Sequence, residues 1–418
     1  MQLCRRFVGN KLAAYYNLPS DRVVGGIDQK INFASLWGEL HYKRLLQKKY
    51  EERKGHWFTP VEVFQPYYSN TLANFIARTV EATQKGEDGD GDEHDICDIV
   101  EIGCGRGTNA EMILDHLKLS NPDIYSKIQY TMIDSSPTLH KLQQDRLLAS
   151  EHGDKMSFDL IDIMDVAEQK ATLLSADDRT PTVLIGLEIL DNLPHDKIHG
   201  ISRREVHQAV VKEDGNSTLK ENFVPLSDPL LSRVLQTVPS FIKSYPVWVP
   251  SVACGFLDQV FKQRPNSSIV LADFDWLPPP DFITSSSSDD SSSPQERAST
   301  WAEGEPITTD LDGIDYPCYI DSPPHCDILF PTDFEKLASY VKRIIPRTKA
   351  REAELNYVTR VRVEKQSEFL ERYGPEQIDA TKSWLTGYSP LLQDFANCSV
   401  LTVTNERAAE LTGSADQR

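Results

Sequence analysis

No stretch of this 418-residue chain approaches the roughly 18 consecutive apolar residues that a membrane-spanning helix needs, so no membrane span is expected. Cysteine is sparse and unorganised. The seven residues, Cys4, Cys97, Cys104, Cys254, Cys318, Cys326 and Cys398, are odd in number and include no CxxC pair, which excludes a structural zinc frame and points to a reducing compartment. Basic residues are outnumbered, 44 Lys plus Arg against 63 Asp plus Glu, for a net charge of -19. That balance excludes the basic footprint of sequence-independent nucleic-acid binding and favours cationic partners. No internal repeat is present. The most consequential absence is one glycine: a dinucleotide fingerprint GxGxxG would need it at position 108, where the chain has threonine.

What is there instead is IVEIGCGRGT, Ile99 to Thr108, with glycines at alternate positions 103, 105 and 107. An apolar run ending in Glu101 precedes them and a helical pattern from Asn109 to Leu117 follows, so the order is strand, tight turn, helix. Glycine serves where φ is positive or a ligand comes close to the backbone, and the helix aims its free N–H groups above the turn. The acid before the first glycine suits a cofactor with a cationic amino-acid tail better than a phosphate. The loop therefore reads as a site for S-adenosylmethionine, with Gly103, Gly105 and Gly107 in the turn and Glu101 placed for the methionine amino group. Thr108 disfavours a nicotinamide cofactor.

The segments around this loop predict an α/β fold with a doubly wound, mostly parallel sheet, an N-terminal helical layer and an inserted α+β segment. Residues 1–95 hold helices, an aromatic loop and the acidic linker 85–95. That linker starts like a calcium loop but lacks the required glycine and the closing glutamate. Residues 96–201 form the cofactor-binding core, with strands at IQYTMID, MSFDLIDIMD and PTVLIGLEIL. An insertion is expected over 202–264, with two strands and then helices through LLSRVLQTVPSFIKSY and ACGFLDQVFKQ. Residues 265–418 return to the sheet at SSIVLADFDW, pass a serine-rich stretch at 283–304 too polar to pack, and end on helices and the strand NCSVLTVTN. The first twenty residues contain Arg5, Arg6 and Lys11 and no acid, which suits a mitochondrial targeting segment or, equally, a basic helix packed on the domain.

In a doubly wound sheet, ligands sit at the carboxyl ends of the strands, and four such ends carry acids here. Asp134 is placed for the hydroxyls of a ribose and Asp162 for the exocyclic amine of adenine. In LIGLEILDNLP, Glu188 and Asp191 stand within one turn of each other above the expected sulfonium. Two carboxylates there could grip a guanidinium and align one nitrogen for in-line attack on a methyl. The alternative makes Asp191 a helix cap and Glu188 a partner for a structural arginine. In the loop GHWFTPVEVFQPYY, Phe58, Thr59 and Glu62 are placed to close over the cofactor, Glu62 adding a third carboxylate. No metal ligand set is present in the pattern.

Together these segments resemble the MidA-like family of methyltransferases, which includes a mitochondrial protein arginine methyltransferase that assists assembly of respiratory complex I. EIGCGRGT at 101–108 is similar to the family's ELGPGRGT, LEILDNLP at 187–194 to NEFFDALP, and the loop at 55–68 to GDFxTSPE. CDILFPTDFEKLA resembles a later segment and makes Asp333 and Phe334 its counterparts. The resemblance implies S-adenosylmethionine as donor, symmetric dimethylation of a protein arginine, and a mitochondrial rather than cytoplasmic location. His56, Cys104, Leu187 and the Asp273-Phe274-Asp275 tripeptide depart from the family pattern. These departures motivate the competing expectation of an assembly or scaffold protein that keeps the fold without turnover.

Overall fold

The computed structural model describes residues 1–19, 23–27, 29–52, 58–84, 96–175, 180–214, 218–278, 280, 304–349 and 357–407. The acidic linker 85–95, nearly all of the serine-rich stretch 283–304, and Gly55, His56 and Trp57 of the aromatic loop lie outside them. The chain opens with helices α1 (Cys4–Tyr16), α2 (Glu39–Glu52) and α3 (Tyr67–Gln84). Strands and helices then alternate: β1 (Cys97–Ile102), α4 (Thr108–Ser120), β2 (Ile128–Asp134), α5 (Pro137–Leu147), β3 (Met156–Leu160) and β4 (Thr182–Leu187). Next come β5 (Asp196–Ser202), β6 (Glu205–Glu213), β7 (Leu219–Pro225), α6 (Pro229–Thr237), β8 (Val247–Val249), α7 (Ser251–Gln263) and β9 (Ser268–Phe274). The rest comprises β10 (Ile307–Asp310), β11 (Asp315–Tyr316), β12 (Cys326–Leu329), α8 (Phe334–Lys349), β13 (Tyr357–Lys365), α9 (Gln366–Tyr373) and β14 (Cys398–Arg407).

The central sheet has seven strands in the order β13-β14-β9-β4-β1-β2-β3. Only β14 runs against its neighbours, so the sheet is mostly parallel, as the alternating pattern predicts. Its strands read as continuous apolar runs because both faces are covered. Val100, Ile102, Leu184 and Leu271 face one layer, with α6, α7 and α8. Ile99, Met132, Ile185 and Val270 face the other, with α3, α4 and α9. Glu101 alternates with Val100 and Ile102, so its side chain belongs to the second face, under the N-terminal helices.

A second sheet of five strands is antiparallel and carries β7, β6, β5 and β8, and it takes in Gln2–Leu3 from the chain start. It starts at Asp196, ahead of the expected boundary at 202. At its other end, α7 leaves it altogether: this helix is the crossover from β4 to β9 and is buried in the main core. The helix expected through LLSRVLQTVPSFIKSY stops at Thr237, because Pro239 offers no N–H to a continuing helix and disfavours helical backbone at the residue before it. β13 and the three-stranded sheet of β10, β11 and β12 were not apparent from the periodicity.

Helix α1 realises the packed-helix alternative for the N-terminus. Arg5 is 2% exposed and pairs with Asp196 at 2.7 Å, Asp228 at 2.6 Å and Glu168 at 3.0 Å. Lys11 donates to the carbonyls of Tyr319 and Ser322 at 2.6 and 2.7 Å.

Candidate active site

At the carboxyl end of β1 the chain turns through three left-handed glycines, Gly103 at φ +68°, Gly105 at +52° and Gly107 at +78°. A Cβ on Gly103 would lie 2.4 Å from the Ile189 Cγ2, so no side chain fits there. Gly107 has a different job from the one expected: it caps α4 and packs against Leu147 and Met132, and it does not line the cleft above the turn.

That cleft encloses about 580 Å³ of space, including its open mouth. Gly103, Gly105, Thr108 and Asn109 form one wall, Leu187 and Glu188 from the end of β4 and Asp273 from β9 another, and Thr59, Glu62, Tyr68 and Gln366 the side under the helical layer. Glu101, Glu188 and Glu62, read separately from three segments, thus meet at one cleft. Glu101 accepts from Asn109 Nδ2 at 2.7 Å and Tyr130 Oη at 2.9 Å, and burial raises its carboxyl to about 7. Glu62 follows the N-cap Thr59 in a short helix, Pro60–Val63, and accepts from Gln65 Nε2 at 2.7 Å.

Glu188 is the most unusual residue here. Its φ is +50°, a strained conformation for a side chain of this size, and backbone strain of this kind clusters at functional sites. Its Oε1 is buried with no hydrogen-bond partner, and burial followed by the nearby Asp273 holds its carboxyl well above the usual range. Among the described residues no cation pairs with it, so the alternative of a structural arginine partner fails.

Asp191 does not join it. Its side chain is buried near Asp273, Asp327 and Glu188 with Oδ1 unpartnered, it does not line the cleft, and no helix follows for it to cap. The reason is the tight turn after β4, which Asp273 grips by accepting from Leu190 N at 2.7 Å and Asp191 N at 3.2 Å. Of the three carboxylates Glu62, Glu188 and Asp191, the first two line the cleft and Asp191 does not. Asp162 caps the short helix Ile163–Ala167 through Met164 N at 2.8 Å and does not line the cleft. Asp134 does not line the cleft either, but it is tied to the glycine turn. It accepts from Ser136 N and from Gln143 Nε2, both at 2.9 Å, and the same Gln143 amide donates to the Gly105 carbonyl. Asp333 starts α8 as its cap, and Phe334 lies in the core.

Three contributors were missed in the sequence. Asp273 was noted only as a family counterpart, yet it organises the β4 turn. Tyr16 donates to Asn192 Oδ1 at 2.7 Å while its carbonyl accepts from Ser136 Oγ at 2.7 Å, so the end of α1 bridges the strand ends of β2 and β4. Gln366 lines the cleft from α9. None carries a local signal, since each is brought there by chain segments more than eighty residues away.

The residues fit an adenosyl cofactor with an ammonium tail: a turn with glycine at three alternate positions, acids at the strand ends, and orphaned acceptors at Asn109 Oδ1 and Glu188 Oε1. A sequence-family model described as "Putative S-adenosyl-L-methionine-dependent methyltransferase" matches residues 71–350. Among solved structures, a superfamily member from Burkholderia thailandensis, described as a "likely methyl transferase" and bound to S-adenosyl-homocysteine, is 14% identical with a TM-score of 0.59. The match covers 96% of this chain and 87% of that one. A second structure of the same superfamily and organism is 15% identical with a TM-score of 0.53, covering 81% and 79%. At such identities the likeness concerns the fold. No curated protein matches the chain.

Proposed function

Because the chain belongs to the MidA-like family of S-adenosylmethionine-dependent methyltransferases, we propose that its methyl acceptor is an arginine side chain of a protein. The observation that carries this reading is Glu188, strained and with a buried, unpartnered Oε1, on a cleft whose other charged lining residues are the acids Glu62, Glu101 and Asp273 and one cation, Arg106. A guanidinium is the cation that best completes two opposed carboxylates, through planar, charge-assisted hydrogen bonds.

S-adenosylmethionine, when bound, supplies an electrophilic methyl on a sulfonium. Glu101 would hold the cationic tail, and Asp134, tied to Gly105 through Gln143, the ribose hydroxyls. Glu188 and Glu62 would then orient one guanidinium nitrogen toward the methyl, alignment being the main contribution to rate. Glu188, whose carboxyl is held above the usual range by burial, would accept the proton that the guanidinium nitrogen releases when the methyl passes to it and the thioether of S-adenosylhomocysteine leaves.

Symmetric dimethylation, a mitochondrial location and an acceptor in respiratory complex I belong to the same proposal and are supported by the family resemblance. The test is transfer of labelled methyl from S-adenosylmethionine to basic proteins, followed by analysis of methylated amino acids. Symmetric dimethylarginine is expected, and Glu188→Gln should lower transfer by roughly 100-fold while S-adenosylhomocysteine still binds. Label on another residue type, or an undiminished Glu188→Gln, refutes the arginine reading. The displacement of Asp191 from the cleft favours a second reading, an assembly protein without turnover; cofactor binding with no transfer to any protein of the native organelle would support it.

A further inference from the structure

We propose that Gln366 is a ligand-binding residue of this cleft, donating from Nε2 to a carboxylate or carbonyl oxygen. The proposal rests on the methyltransferase reading and adds to it the recognition of a ligand anion or dipole.

Gln366 opens α9 directly after β13, is 3% exposed and lines the cleft. Its Oε1 accepts from the Tyr68 hydroxyl at 3.1 Å, while its Nε2 is buried without any partner. Tyr68 is itself buried, which pushes its pKa up and keeps it a phenol able to donate. The reverse orientation of the amide would turn a carbonyl toward a cleft walled by Glu188 and Asp273, against their charge. Tyr68 therefore holds Oε1 and leaves Nε2 as the free end of a side chain that lines the cleft.

A buried N–H without an acceptor is disfavoured in a folded protein unless something outside the chain completes it. What completes this one must offer an oxygen. The acids around the cleft suit the ammonium, the sulfonium and a guanidinium, but they repel the one carboxylate of the cofactor and do nothing for a peptide carbonyl of the acceptor. Arg106, from the glycine loop, is the one cation in the lining, and Gln366 adds a neutral donor from α9.

Calorimetry distinguishes the two sources of that oxygen. The probes are S-adenosylhomocysteine, its decarboxylated analogue, and N-acetyl-arginine amide added to protein saturated with S-adenosylhomocysteine. If the oxygen is the cofactor's carboxylate, Gln366→Leu should bind S-adenosylhomocysteine roughly tenfold more weakly and the decarboxylated analogue as well as the parent does. If it is the acceptor's carbonyl, both cofactor affinities stay unchanged and the arginine amide binds roughly tenfold more weakly. Tyr68→Phe should reduce the same affinity by a smaller factor, and should have no further effect in the Gln366→Leu background. Unchanged affinity for every probe, including a parent protein that takes no arginine amide, overturns the proposal. A parent protein that binds no S-adenosylhomocysteine refutes the methyltransferase reading instead. Should Gln366→Leu not fold, Tyr68→Phe decides alone: no weakening for any probe overturns the proposal.

Discussion

Gly103 and Glu101, two residues apart, set the limits of the cofactor site by different physics. Gly103 is a matter of space: with φ at +68° and the Ile189 Cγ2 2.4 Å from where a Cβ would stand, Gly103→Ala must either strain the turn or push the β4 loop away. It should cost about 1–3 kcal/mol in urea unfolding, and calorimetry should show loss of S-adenosylhomocysteine binding. Normal binding in a stably folded variant would contradict the placement of the cofactor over this turn. Glu101 is a matter of charge. Burial raises its carboxyl from 4.5 to about 7, against hydrogen bonds from Asn109 and Tyr130 that lower it. Between those values the folded protein holds a proton that the unfolded chain has released, so this group's stabilisation of the fold is lost as pH rises toward about 7. Cofactor binding runs the other way, because the ammonium needs the ionised form. Affinity should be about tenfold weaker at pH 6 than at pH 8, with proton release in calorimetry near pH 7; a flat profile would remove Glu101 from the amino-group site.

Helix α1 and the turn after β4 show what elements add to residues. α1 is amphipathic only weakly, and its hold on the domain is ionic: Arg5 is enclosed by Asp196, Asp228 and Glu168 from three separate segments. Removing one partner from a buried network leaves charges uncompensated. Arg5→Ala should therefore destabilise by about 3–5 kcal/mol in urea unfolding, and by loosening α1 it should also release Tyr16 from Asn192 and weaken S-adenosylhomocysteine binding. A change under about 1 kcal/mol would mean that the network is not closed in solution. The β4 turn depends on one acid in the same way, since Asp273 satisfies two consecutive amides and so keeps Glu188 in its left-handed conformation. The acid at 188 was legible because LEILDNLP follows an apolar run, but the direction in which Asp191 points was not. Four residues past a strand, orientation is set by the turn, and the group that sets this turn lies on β9.

Across the whole molecule, both apolar layers pack on one seven-stranded sheet, so neither can come apart without exposing the other's support. Thermal unfolding should follow a single transition, and S-adenosylhomocysteine at 100 times its dissociation constant should add about 2.7 kcal/mol of stability. Two separated transitions in scanning calorimetry, or no shift with ligand, would contradict this. The sheet was foreseeable because parallel strands buried on both faces are apolar runs, and helices between them repeat at three and four residues. Glu101, Glu188 and Glu62 could also be named in advance, each from a short motif. The sequence by itself determined the strand-turn-helix of the cofactor loop, the parallel sheet and the acids at its strand ends, because these follow from local φ preferences and from the period of apolar residues. Only the tertiary structure decided which acids share a cleft, that Asp162 and Asp191 do not line it, and that Asp273 and Gln366 do, because such meetings depend on the packing of segments distant in the chain and leave no local trace.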